Sequence, residues 1–178
     1  RDAGLLAQDT PAVAEFICIK LIQKFVSDQI TLANYKAGTA PAALTLLLND
    51  CIAAWNSTTP KGNIRTVMEV ILDPVSRTSA FWADTNYRAK VKTPVEFINS
   101  TIRVLDGVAT GSGLPELNTQ MGMFLFTRDE PDGWSELGID WIDTGSMLER
   151  ITFGQAFAEN RDTAYRWSTL SYLDSRGL

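Results

Sequence analysis

Lys90-Val-Lys-Thr-Pro-Val-Glu-Phe-Ile-Asn-Ser-Thr-Ile-Arg-Val-Leu105 holds the clearest helix start in the chain. Thr93 is placed to cap. Pro94 takes the first helical position, where a missing N–H leaves no bond unmade. Glu96 falls three residues after the cap, the spacing of a capping box. Past the cap, Ile98, Thr101, Ile102 and Leu105 share one face, and Phe97 and Val104 widen it. Glu96 and Arg103 are seven apart and point the same way, two turns from each other. The stretch reads as a helix with one buried side.

Working outward toward the N-terminus, the same period recurs. Asp84 to Arg88 is a loop, and Ser76 to Trp82 a short turn that docks Phe81 and Trp82. Asn63 caps a helix through Ile64, Val67, Met68, Ile71 and Leu72, which Pro74 ends or kinks. Asn56 to Gly62, with Pro60, is a loop. Thr39 to Pro41 opens a long helix whose Leu44, Leu47, Leu48, Cys51, Ile52 and Trp55 form a regular apolar face. A short turn or helix carries Ile30, Leu32 and Tyr35. Thr10-Pro11 opens a helix to about Ser27, apolar except for Lys20, Gln23, Lys24 and Ser27, and is expected to be central and mostly buried. Residues 1–9 read as a lead-in.

Toward the C-terminus, a glycine-rich link from Asp106 to Gly113 leads to a short helix, Pro115 to about Met121. Phe124 to Trp141 has no helical period, and residues 124–143 are expected to form one long ordered loop. A helix restarts near Thr144 and runs through Met147, Leu148, Ile151, Phe153 and Phe157 to about Asn160. Asp162 to Leu173 reads as a last helix carrying Tyr165 and Trp167. No strand pair is expected. The fold class is all-α, an irregular multi-helix bundle forming a single helical domain over residues 10–178.

Composition narrows the function. Apolar residues make up 45% and charged residues 21% of the 178, ordinary for a globular domain. A net charge of −5 argues against nucleic acid, which needs a basic face to neutralise phosphates. Seven acidic residues and no basic ones lie between Asp129 and Glu149. With no histidine and two cysteines, the chain alone cannot assemble a Ser-His-Asp or Cys-His arrangement or a zinc site. Lys20, Gln23 and Lys24 interrupt the most apolar helix, so no membrane span is expected. The chain starts at Arg1 without a methionine and reads as a mature product or a piece of something longer.

Several residues bear on chemistry. Thr93, Pro94, Glu96, Arg103 and Arg150 read as structural: Glu96 caps its own helix and the arginines lock neighbouring helices through ion pairs. Arg88, Lys90 and Lys92 surround a helix N-terminus, where an anion can bind. Cys18 and Cys51 sit on apolar faces, either as buried thiols or as a disulfide. The ligand-binding candidates are Asp129, Asp132, Trp134, Asp140 and Trp141, because carboxylates beside tryptophans suit a sugar subsite or a weakly held calcium ion. No other cofactor is called for.

The order of these pieces resembles the C-terminal part of the bacterial domain-of-unknown-function family 1800. The matching places are Thr10 to Leu21 with Phe25 to Asp28; Gly62 to Ile64 with Ile71-Leu72 and Phe81-Trp82; Lys90 to Phe97 with Arg103; Met121-Gly122 to Phe126 with Gly133-Trp134 and Trp141; and Leu148, Arg150 and Phe153. The chain departs from the family pattern at Thr10, Val13 and Met123, where that pattern has His, Thr and Gln. The resemblance implies an exported, largely helical protein much longer than 178 residues, with no established reaction. It also implies a paired role with a second exported protein. The leading expectation is a non-catalytic structural or interaction module that packs against the remainder of its own polypeptide or another exported protein. The rival is an extracellular carbohydrate binder or carbohydrate-active protein using the acidic loop.

Overall fold

The helices written into the sequence recur in the computed structural model of the chain, which describes residues 10–73, 80–87, 89–162 and 165–177. The expectations for residues 1–9, Pro74, the first part of the 76–82 turn and Arg88 lie outside the described residues. The fold is all-α apart from one two-stranded ladder. The chain divides into two compact units, residues 1–90 and 91–178.

The first unit contains α1 (Pro11–Phe25), α2 (Leu32–Lys36), α3 (Ala42–Asn56), α4 (Ile64–Leu72) and a 3-10 turn, Ala80–Trp82. Helix α3 is the middle layer and packs on both α1 and α4. Its i, i+3, i+4 residues Leu44, Leu47, Leu48 and Cys51 are buried against Cys18 and Ile22 of α1 and Val67 and Ile71 of α4. The α1 stripe is more two-sided than expected. Phe16 and Phe25 are exposed, whereas Gln23 and Ser27, counted as polar surface, are buried. Gln23 is held there because its Nε2 donates to the Ile30 carbonyl at 2.7 Å, which satisfies a buried backbone acceptor. Asn63 caps α4 as predicted, its Oδ1 accepting from the N–H groups of Arg65 and Thr66. Immediately before it, Gly62 has φ +90°, and its Cα lies so close to Trp55 that a Cβ would come within 2.9 Å of the indole. Trp82 is not docked inward. It is exposed, with Nε1 donating to the Leu72 carbonyl at 2.9 Å.

The second unit contains α5 (Pro94–Val104), β1 (Val108–Ala109), α6 (Leu114–Gln120), a 3-10 turn (Gly138–Trp141), α7 (Thr144–Ala158), β2 (Tyr165–Arg166) and α8 (Thr169–Arg176). Helix α6 packs on α5 and α7. Ile98 and Ile102 of α5, Met121, Phe153 and Phe157 of α7 and Tyr165 form the core. The capping box at the start of α5 is present. Glu96 N–H donates to Thr93 Oγ1 at 3.4 Å, and Thr93 N–H donates to Glu96 Oε2 at 3.1 Å. Thr93→Ala is expected to cost about 1 kcal/mol, the penalty of a lost cap. An unchanged urea midpoint would show that this bond contributes nothing.

Two expectations for the second unit need correction. One strand pair exists: β1 and β2 are antiparallel, with Val108 opposite Arg166 and Ala109 opposite Tyr165. The last helix therefore starts at Thr169, and Tyr165 points into the aromatic core instead of lying on a helix. Residues 124–143 form the expected long loop, except for the 3-10 turn at Gly138–Trp141.

Candidate functional site

The predicted structural residues divide into two groups. Thr93, Pro94 and Glu96 build the start of α5. Arg150, buried on α7, reaches that start: its Nη2 donates to the Lys92 carbonyl at 2.9 Å, and its guanidinium lies over the Phe97 ring at 5.1 Å. The acceptor is thus a main-chain carbonyl, not the carboxylate expected from the sequence. Burial lowers the Arg150 guanidinium from its ordinary value, against the pull of Asp143. Asp143 is itself held below the usual carboxylate range by the Ser146 backbone N–H and hydroxyl. Arg103 stands exposed on α5, outside this group. The arrangement ties α7 to the first turn of α5.

The acidic loop is organised by its aromatic residues. Trp141 is buried and Trp134 half-buried against it, with ring centroids 5.8 Å apart. Arg128 covers Trp134 at 4.9 Å and pairs with Glu130 at 2.8 Å. Trp141 Nε1 donates to the Ser135 carbonyl at 2.9 Å, and the Ser135 hydroxyl donates to Asp140 Oδ2 at 2.5 Å. Asp129 and Asp132 are exposed. Among the described residues no group of three or more Cys, Asp or Glu side chains is arranged to hold a metal ion.

Lys90 and Lys92 are each used locally. Lys90 Nζ donates to the Lys24 carbonyl at 2.8 Å, and Lys92 Nζ donates to Ser100 Oγ at 2.7 Å along α5. Cys18 and Cys51 are free thiols, fully buried in the first core. Burial raises Cys18 from 9.0 to about 11. Cys51 rises to about 12, chiefly through burial and then through Cys18 and Asp50. Both thiols are therefore expected to be labelled by a thiol reagent at pH 8 no faster than the protein unfolds. Rapid labelling of either would contradict this placement. Because both folded values lie above 9.0, the neutral thiols favour the fold fully below pH 9. That contribution is lost as pH rises from 9 through 11 to 12.

Three features were not anticipated from the sequence. A groove of about 860 Å³ runs along α4, lined by Arg65, Met68, Glu69, Leu72 and others. A cavity of about 500 Å³ lies at the end of α1, beside the Ala80–Trp82 turn. On α7, Met147, Leu148 and Ile151 are exposed together. No periodicity marks the cavity, because its lining comes from a helix end and a turn. The apolar residues of α7 are legible in the sequence, but not which of them face solvent.

A family model described as "Protein of unknown function (DUF1800)" matches residues 3–176. No curated protein and no solved structure matches the chain. No described helix is long and apolar enough to cross a membrane.

Proposed function

The chain belongs to the DUF1800 family, and from that premise we propose that it is a non-catalytic structural or interaction module of an exported protein. It docks through an apolar helix face against the remainder of its own polypeptide or another exported protein. The observation that carries this reading is the outer face of α7. Met147, Leu148 and Ile151 are 41%, 60% and 55% exposed and fall within about 100° of arc on a helix of 3.6 residues per turn. Ile139 and Ile142, just before the helix, are exposed as well. A solvated helix face is normally polar, and grouped apolar side chains mark an interaction surface. Met147, Leu148 and Ile151 are each already about half buried, so withdrawing the rest from water contributes about 1 kcal/mol apiece. The absence of histidine from the sequence supports binding over acid–base or nucleophilic chemistry.

Carbohydrate binding at the acidic loop is the weaker reading. Trp141 is buried and Trp134 is covered by Trp141 and Arg128, which leaves little ring face for a sugar.

The test is site-specific photo-crosslinking in the cells that make the protein. A crosslinking residue at position 148 is expected to trap one discrete product that maps to an exported polypeptide. The same residue at position 116, on the polar surface of α6, is expected to trap none. Equal trapping at both positions, trapping at neither, or trapping of cytoplasmic proteins alone refutes the reading.

A further inference from the structure

We propose that the cavity at the end of α1 binds a neutral carbohydrate, a mono- or disaccharide unit of a longer chain. Its volume of about 500 Å³ lies within the range of small-molecule sites. Its lining includes Phe25, Phe81, Trp82, Asp84, Asn86 and Tyr87, all in the first unit.

Three of these rings are left in contact with solvent. Phe25 is 46%, Trp82 58% and Tyr87 70% exposed, although aromatic burial is a large stabilising term. The Trp82 indole is nevertheless fixed. Its Nε1 donates to the Leu72 carbonyl at 2.9 Å, and it meets the Phe81 ring edge-on at 5.0 Å and 76°. With its N–H committed to the main chain, Trp82 has only its π face to offer. A fixed ring also spares the ordering cost that a mobile one incurs on binding.

The polar groups narrow the ligand further. Asn86 Nδ2 donates to the Ala80 carbonyl at 2.7 Å, which leaves its Oδ1 as an acceptor and its second N–H as a donor. Asp84 adds a second acceptor. The lining therefore asks for a ligand with an apolar face and hydrogen-bond donors at its rim. A pyranose ring has both: its C–H face packs on the negative face of an aromatic ring, and its hydroxyls donate outward. An organic cation fits less well. Lys90 Nζ donates to the Lys24 carbonyl, which brings an ammonium to the peptide that joins Lys24 to Phe25 and offsets the attraction of Asp84 for a cation. Glycoside cleavage needs two carboxyl groups. Asp84 is the single carboxylate among the described lining residues, so the site binds sugar without cutting it.

The test is calorimetric titration of the whole chain with cellohexaose, chitohexaose, xylohexaose and laminarihexaose, with choline as the cationic control. At least one oligosaccharide is expected to bind and choline is not. Trp82→Ala is expected to weaken binding by about tenfold, the equivalent of one lost ring contact. Tyr87→Ala is the second variant and leaves the Trp82–Leu72 bond in place. Trp134→Ala is expected to bind as the parent does. Circular dichroism checks that each variant is folded. Binding by none of the four sugars, binding of choline instead, or loss of binding in Trp134→Ala but in neither cavity variant overturns the proposal.

Discussion

Replacing Phe153 by alanine is expected to remove about 3–5 kcal/mol of stability from the unit formed by residues 91–178, as for other fully buried aromatic side chains. Phe153 is buried at the middle of an aromatic cluster. It stacks on Phe157 with centroids 5.8 Å apart at 14°, meets Phe97 at 5.7 Å and 67°, and meets Tyr165 at 5.3 Å. Those rings come from α7, α5 and β2, so one deletion loosens three elements. The lost transfer free energy is joined by a cavity that stiff rings cannot collapse to fill. Whole domains are stable by only about 5–15 kcal/mol, so the loss is a large share of the total. Urea denaturation monitored by near-UV dichroism measures it. A loss under about 1 kcal/mol, less than an ordinary core truncation, would mean that the cluster is not packed as described.

Gly62→Ala is expected to cost about 2–4 kcal/mol, through two effects that a paired variant separates. At φ +90° any L-residue is strained, and here the new methyl also meets the buried Trp55 indole at 2.9 Å. The ring cannot swing clear, because it is packed into the core on α3, and the Gly62 N–H donates to the Trp55 carbonyl at 3.0 Å. Gly38 supplies the comparison. It has φ +70° and nothing within 4 Å of the place a methyl would take, so Gly38→Ala carries the backbone cost alone, about 1–2 kcal/mol. Equal losses in the two variants would show that the Trp55 contact has no energetic weight.

The parts of the fold that were legible are those in which local chemistry and burial agree. The Thr93 capping box, the Asn63 cap and the apolar period of α3 each specify a helix without help from distant residues. Strands β1 and β2 were not legible, since a two-residue ladder exists only through its partner and carries no period. Gln23 and Arg150 were misread for a related reason. Their side chains are satisfied by main-chain carbonyls, at Ile30 and Lys92, and a backbone acceptor leaves no mark in the residue types. The acidic loop was legible as ordered, but the sequence does not say which way its tryptophans turn. The exposure of Trp82 was hidden likewise, because an aromatic beside a helix end reads as core until its ring is placed.

The short ladder has a consequence for the order of assembly. Ala109 and Tyr165 are 56 positions apart, and bringing such distant points together costs about 3.5 kcal/mol of chain entropy before any contact repays it. The first unit is joined by α3 on α4, which follow one another in sequence, and by α1 on α3, which are separated by the short α2. Units built from local contacts fold faster than those that must close long loops. The ladder therefore raises the share of long-range contacts in the 91–178 unit, and that unit is expected to fold more slowly than the first.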